Sequence, residues 1–208
     1  MNMKVVIATH NKDKLKELRL GLSNLNVEFL DLSHFPDIGD IDETGVTLKE
    51  NAYIKAKHVY DFTGFPSIAD DTGLEVDVLN GAPGVYTARF AGENCSYQDN
   101  IDKMLRVMKG VNDKDRGASF KTVISYVDGN RELFTEGKVK GMISKKNKKT
   151  LGSFGYDPIF YVPEKKKTFS EMSIDEKNII SHRGLAIKNF KLIFNSYLKE
   201  IQNKKESA

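Results

Sequence analysis

The chain has 208 residues, 39% of them hydrophobic and 29% charged, an ordinary globular composition and long enough to bury a core without staples. The net charge of +3 is mild, and Cys95, the single cysteine, excludes an internal disulfide and a cysteine-only metal cluster and suits a reducing cytoplasm. No apolar run is long enough to cross a bilayer and no signal peptide is expected at the start, so membrane and secreted classes fall away.

In chain order, residues 4–8 form a short apolar run, Val5, Val6 and Ile7, that reads as a buried strand. Thr9-His10-Asn11 ends it, Asn11 suits a helix N-cap, and from Asp13 a helix follows with Leu15, Leu18, Leu22 and Leu25 on one face. This strand–loop–helix unit aims backbone N–H groups and a positive dipole end at the loop. Lys14 in the first helical turn is an unfavourable cation unless an anion sits nearby; it is either a phosphate contact or a solvated lysine beside a plain cap. A strand is expected over 27–32 and a loop over 34–46, which holds Pro36, Asp37, Asp40, Asp42 and Glu43. The next helix, 47–62, has the stripe Leu48, Ala52, Ala56, Val59 and capping-box spacing at Thr47 and Glu50. Its polar residues Glu50, Asn51 and Lys55 are candidates to face a cleft.

Residues 68–92, IADDTGLEVDVLNGAPGVYTARFAG, are the densest in chemistry. They read as strand, acidic turn at Asp70-Asp71, a half-buried strand alternating Leu74, Val76 and Val78 with Glu75 and Asp77, then a glycine-rich loop. Neighbouring anions repel and resist desolvation unless a cation sits beside them, and carboxylate oxygens are the ligands magnesium prefers. The plainer reading is a polar turn, since Asp and Gly favour turns. A helix is expected over 97–108 through Ile101, Leu105 and Met108, strands over 119–127 and 132–139 joined by Asp128-Gly129-Asn130, a second glycine-rich loop over 151–162, and a last helix from Ser181 through Ala186, Phe190, Ile193, Tyr197 and Ile201, with 204–208 as a frayed tail. No internal repeat is evident. The alternation gives an α/β fold with a mixed twisted sheet flanked by helices.

Lys138, Lys140, Lys145, Lys146, Lys148, Lys149 and Lys165 to Lys167 cluster the positive charge. Such a cluster suits a nucleic-acid surface or the rim of a polyanion pocket, but few aromatics interleave with it, which favours a solvated face. Other polar clusters fall at strand ends and helix starts: Thr9 to Lys14, Asp42-Glu43, Asp70 to Thr72, Phe154 to Asp157, and Lys177 to Arg183. Together they offer phosphate donors, carboxylates, aromatics for a base and cations, the inventory of a nucleoside triphosphate site.

With those segments assembled, the sequence resembles the Ham1 family of inosine triphosphate pyrophosphatases, also called non-canonical purine NTP pyrophosphatases or XTP/dITP diphosphatases. The matching stretches are ATHNKDKLKEL, ETGVTLKENAYIKA, ADDTGLEVDVLNGAPGVYTARFAG, GSFGYDPIF and EKNIISHRGLA, in the family's order between residues 8 and 187. Departures are few: Thr72 and Thr87 stand where the family usually has serine, Leu48 for phenylalanine and Ser153 for glycine.

The resemblance implies one domain over 1–208, with two lobes around a central substrate cleft. Thr9, His10, Asn11, Lys12, Asp13 and Lys14 become the triphosphate-binding loop. Asp71 becomes the catalytic residue and a magnesium ligand supported by Asp70, with Thr72 touching substrate. Glu43 becomes the second acidic ligand, with Asp42 competing. Phe154, Gly155, Tyr156 and Asp157 surround base and sugar, and Lys177, His182 and Arg183 complete the base and phosphate contacts. The implied reaction is Mg2+-dependent hydrolysis of ITP, dITP and XTP to the monophosphate plus pyrophosphate by a cytoplasmic homodimer, with no stable nucleic-acid partner and no membrane. A Maf-type pyrophosphatase with another base preference, or a non-enzymatic nucleic-acid binder, are the competing classes.

Overall fold

The computed structural model describes residues 3–150 and 153–206. Leu151 and Gly152, which open the expected second glycine-rich loop, and Ser207 and Ala208 at the end of the expected tail lie outside the described residues. In chain order come β1 (Met3–Ile7), α1 (Lys12–Leu22), β2 (Val27–Asp31), α2 (Leu48–Thr63), β3 (Ser67–Val76), β4 (Pro83–Gly84), α3 (Tyr97–Val107), β5 (Gly117–Val127), β6 (Glu132–Ile143), β7 (Phe160–Val162), β8 (Lys167–Thr168), α4 (Ile174–Ile180) and α5 (His182–Glu206). Strand pairing runs β2-β1-β3-β5-β6-β7-β8, with β4 on β3. β1 pairs parallel with both β2 and β3, while β3/β4, β6/β7 and β7/β8 are antiparallel, so the sheet is mixed.

Local chemistry sets the helix starts. Asn11 Oδ1 accepts from the N–H groups of Asp13 and Lys14 at the head of α1. Thr47 with Glu50, Ser96 with Asp99, and Ser173 with Glu176 each close a reciprocal capping box at α2, α3 and α4, a device that satisfies two orphan donors at once. At the β5–β6 hairpin, Asp128 Oδ1 accepts from the N–H groups of Asn130 and Arg131 and closes the expected turn.

The chain divides into two compact units, the first made of the segment up to Asp71, Thr122–Gly137 and the segment from Arg183, the second of Thr72–Lys121 and Lys138–His182. In the first unit the period-2 alternation of strands sorts side chains onto two faces. Val5, Ile7 and Ile68 pack with Leu18 and Leu22 of α1 and with Ala186, Phe190 and Phe194 of α5. Val6, Ala8 and Ala69 face the other way and pack with Ala56 and Val59 of α2. In the second unit Ile101, Met104 and Met108 join Phe120, Phe160 and Phe169 in one core. Arg116 is buried there and donates only to carbonyls, those of Ile143, Met108 and Ser144.

One local expectation is overturned. Asp70-Asp71 is not a turn: β3 runs unbroken from Ser67 to Val76 with the acidic pair at its middle. The turn that does follow is a 3-10 segment, Asp77–Leu79, which takes Val78 out of the strand and leaves it 45% exposed. Asp and Gly lose their usual turn preference here because side chains distant in sequence engage both carboxylates, so tertiary contacts decide.

The apolar face of α5 is the main buried surface on its side of the first unit. Phe194 is fully buried, with its ring 4.9 Å from that of Tyr126 and 5.0 Å from that of Phe190. Phe194→Ala is therefore expected to destabilise the protein by about 3–5 kcal/mol, read as a lower urea midpoint at unchanged denaturant slope.

Candidate active site

The alternation that sorts the first core also separates the two acids. Asp70 follows Ile68 onto the α1/α5 face, and Asp71 follows Ala69 onto the α2 face. Asp70 is 1% exposed. Its Oδ2 accepts from Arg183 Nε at 3.1 Å and from a terminal guanidinium nitrogen at 3.0 Å, and Lys14 Nζ stands 3.5 Å from the same oxygen. Arg183, itself 1% exposed, donates its other terminal nitrogen to Glu17 Oε2 at 2.5 Å. On the opposite face, Lys55 Nζ lies 2.6 Å from Glu43 Oε1 and 3.4 Å from Asp71 Oδ1. Asp71 Oδ2 is buried and has no hydrogen-bond partner among the described residues.

These surroundings push the two neighbours in opposite directions. Burial raises the affinity of Asp70 for a proton, but Lys14, Arg183 and Lys55 outweigh it and hold the carboxyl well below the usual carboxylate range. For Asp71 burial wins: Lys55 and Lys14 oppose it, Glu43 and Asp70 add to it, and the carboxyl is raised. Burial also lowers Lys14, against the pull of Asp70, whereas at Lys55 burial is outweighed by Asp71, Glu43 and Asp70 and the ammonium is held more tightly protonated.

Of the expected triphosphate loop, Thr9 Oγ1 accepts from Asn11 N–H, and His10 Nε2 donates to Gly39 O at 2.8 Å. Asn11 is the cap, Lys12 is exposed, Asp13 is in the first helical turn, and Lys14 is the member that reaches the acidic pair. Asp42 is exposed while Glu43 shares Lys55 with Asp71, so the packing favours Glu43 over its neighbour. Thr72 is half-buried next to Asp71 on β3.

In the second unit, Lys177 Nζ stands 2.7 Å from Asp157 Oδ2 and 4.4 Å over the Phe154 ring. Gly155 takes a positive φ of 56°, which a side-chain-bearing residue rarely adopts. Tyr156 is a core residue, 3% exposed, and its hydroxyl donates to Thr87 O at 3.0 Å. His182 is buried and stacks on Phe120 at 4.4 Å.

One contributor was not singled out by the sequence. Glu17 lies three residues after Lys14, on the same face of α1, a spacing that links the two once Arg183 is known to reach both Glu17 and Asp70. Lys55, expected as a candidate to face a cleft but given no role, is the cation shared by Glu43 and Asp71. Of the nine clustered surface lysines, four meet carboxylates: Lys138 with Glu75, Lys145 with Asp113, Lys148 with Glu171 and Lys167 with Glu176.

Glu43 and Asp71 are the oxygen donors that could take a divalent cation. Among the described residues no group of three or more His, Cys, Asp or Glu side chains is placed to hold a metal alone. That is compatible with magnesium, which binds through one or two carboxylates and keeps water and phosphate oxygens for the rest, and the buried Asp71 Oδ2 is an oxygen left for such a partner.

The sign of each shift fixes a stability test in metal-free buffer. Asp70 is depressed, so its stabilisation is complete above the unfolded value near pH 4 and is lost as pH falls below it. Asp70→Asn is expected to cost about 3–5 kcal/mol at pH 7 and to flatten that acid-side loss. Asp71 is raised, so its ionised form opposes folding at neutral pH and protonation relieves it; Asp71→Asn should therefore raise Tm. Thermal unfolding across pH checks both.

The model of the Ham1 family matches residues 5–193. The chain is 45% identical to the dITP/XTP pyrophosphatase of Thermoanaerobacter pseudethanolicus over 97% of its own length and 100% of that protein, and 45% identical to the dITP/XTP pyrophosphatase of Escherichia coli over 89% and 94%. Among solved structures it resembles a HAM1 protein from Coxiella burnetii, with a TM-score of 0.85 and 39% identity over 93% of this chain and 99% of that one. The Ham1 protein of Staphylococcus aureus gives 0.83 and 37% over the same shares. The chain with this buried acid–base cluster belongs to the Ham1 family.

Proposed function

We propose that this protein hydrolyses non-canonical purine nucleoside triphosphates, ITP, dITP and XTP, to the monophosphate and pyrophosphate, clearing them from the nucleotide pool. The observation that carries the reading is the buried cluster on β3, Asp70 with Lys14 and Arg183 and Asp71 with Lys55 and Glu43, in a chain that matches relatives named dITP/XTP pyrophosphatase end to end.

The reaction is attack of a water oxygen on the α-phosphorus, with rupture of the bond to the bridging oxygen and departure of pyrophosphate. Asp71 is the general base that orients the water and takes its proton, its Oδ2 being buried and without a hydrogen-bond partner among the described residues. Lys14 binds phosphate oxygens beside the positive dipole end of α1, with Thr9, Asn11 and Asp13 shaping the loop, His10 anchoring it to Gly39, and Lys12 at its rim. Glu43 and Asp71 would hold a magnesium ion, which would supply neutralisation of charge on the triphosphate. Arg183, itself held by Glu17, holds Asp70, which in turn holds Lys14. Lys55 keeps Glu43 and Asp71 together, and Thr72 contacts the substrate beside Asp71.

Phe154, Gly155, Asp157 and Lys177 receive base and sugar, backed by Tyr156. Donors from His182 and the loop amides favour a 6-oxo purine, because adenine, a donor at that position, would leave them unpaired. The enzyme acts as a cytoplasmic homodimer, an extension of the same resemblance that the free Cys95 accommodates. No helix among the described residues is long and apolar enough to cross a membrane.

The test is ITP hydrolysis with product identification. Stoichiometric IMP and pyrophosphate are expected, with ITP, dITP and XTP preferred over ATP, dTTP and UTP; release of orthophosphate, or a preference for dTTP or UTP, overturns the reading. Asp71→Asn should abolish turnover in a folded protein, and Lys14→Ala should chiefly raise KM, about tenfold or more for a lost charge-assisted phosphate contact.

A further inference from the structure

The loop that carries Glu43 is tied to α2 at three consecutive amides. Gly45 N–H donates to Asn51 Oδ1 at 2.8 Å, and Val46 and Thr47 N–H donate to Glu50 Oε2 at 2.7 and 3.0 Å. Glu50 is exposed and belongs to the capping box of its helix. Asn51 is different: it is fully buried, on the helical face that four residues later presents Lys55 to Glu43 and Asp71. The backbone approaches it closely. A Cβ on Gly45 would lie 2.7 Å from Asn51 Oδ1 and 2.6 Å from Glu50 Cβ, so residue 45 must be glycine for the loop to seat against the helix.

The amide group itself is telling. The Gly45 donor fixes which end of Asn51 is oxygen, and leaves Nδ2 buried with no hydrogen-bond partner among the described residues. A stranded donor is unfavourable, and aspartate would accept from Gly45 without one. Aspartate would also add an anion to a neighbourhood already holding Glu43 and Asp71 around a single lysine. Asparagine is thus the acceptor of the right length that leaves the charge unchanged.

We propose that Asn51 is a positioning residue for the reaction, fixing Glu43 through the Gly45 amide so that Glu43 and Asp71 present their oxygens to one cation. The proposal rests on the functional reading above and deepens it. Asn51 does not itself touch the reacting atoms; it sets where Glu43 stands.

The experiment measures Mn2+ binding to the nucleotide-free protein by electron paramagnetic resonance, for wild type, Asn51→Leu, Asn51→Asp and Gly45→Ala, each checked for folding by circular dichroism. Asn51→Leu removes the acceptor and is expected to weaken Mn2+ binding about tenfold or more, the usual scale for loss of an outer-shell partner, and to lower kcat for ITP more than it changes KM. Gly45→Ala displaces the same loop and should weaken Mn2+ similarly. Asn51→Asp keeps the Gly45 acceptor but also adds a charge that attracts Mn2+, so its deciding readout is kcat, which should recover relative to Asn51→Leu, an outcome that neither added charge nor a merely space-filling residue predicts. Should Asn51→Leu fail to fold, Gly45→Ala and Asn51→Asp decide. Wild-type Mn2+ affinity in Asn51→Leu or Gly45→Ala, no recovery of kcat in Asn51→Asp, or no Mn2+ site in the wild type overturns the proposal. Failure of the functional reading shows separately, as a wild-type protein that binds Mn2+ but releases no pyrophosphate from ITP.

Discussion

Two adjacent carboxylates on a buried strand are an electrostatic problem with a geometric answer. Because successive side chains of a strand point to opposite faces, Asp70 and Asp71 each meet a different helix layer. Asp70 enters the α1/α5 side and finds Arg183 and Lys14; Asp71 enters the α2 side and finds Lys55, which it shares with Glu43. Had the pair been two residues apart, both acids would compete for one set of cations. The alternation that builds the apolar layers around Val5, Ile7 and Ile68 on one face and Val6, Ala8 and Ala69 on the other therefore also divides the labour between the acids.

The division is unequal. Asp70 is satisfied by a two-point contact with a guanidinium that Glu17 holds from behind, and it stays ionised. Asp71 shares the Lys55 ammonium with Glu43 and keeps one buried oxygen without a hydrogen-bond partner among the described residues, so its ionised form is disfavoured. A carboxylate left under-satisfied in the resting protein is what a base or a metal ligand has to be, and the stability forgone at Asp71 is the usual cost of a poised site. Lys14 shows the same tension from the other sign: burial lowers its proton affinity while Asp70 supports the charge.

Much of this was legible in the amino-acid order. Asn11 and the Thr47/Glu50 pair announce their helices by capping chemistry that is local, and local signals survive folding. The Asp128-Gly129-Asn130 hairpin is equally local. The unbroken course of β3 was not legible, because what keeps Asp70-Asp71 in a strand is a lysine 16 residues before Asp71 and an arginine 113 residues after Asp70. Helix α4 was missed although Ser173 and Glu176 carry a capping-box spacing, since the helix is only seven residues long and Ser181 alone parts it from α5. The family resemblance implied a substrate contact for Arg183; its burial and its engagement with Asp70 and Glu17 appear only in three dimensions.

The central claim is that neighbouring Asp70 and Asp71 occupy opposite electrostatic environments before any ligand arrives. Carboxyl carbon NMR of the metal-free protein, with Asp70→Asn and Asp71→Asn to assign the signals, measures it directly. The account predicts that Asp71 takes up its proton above the ordinary aspartate value, while Asp70 remains ionised to well below it. Two carboxyls titrating together near about pH 4, or in the reverse order, would contradict it.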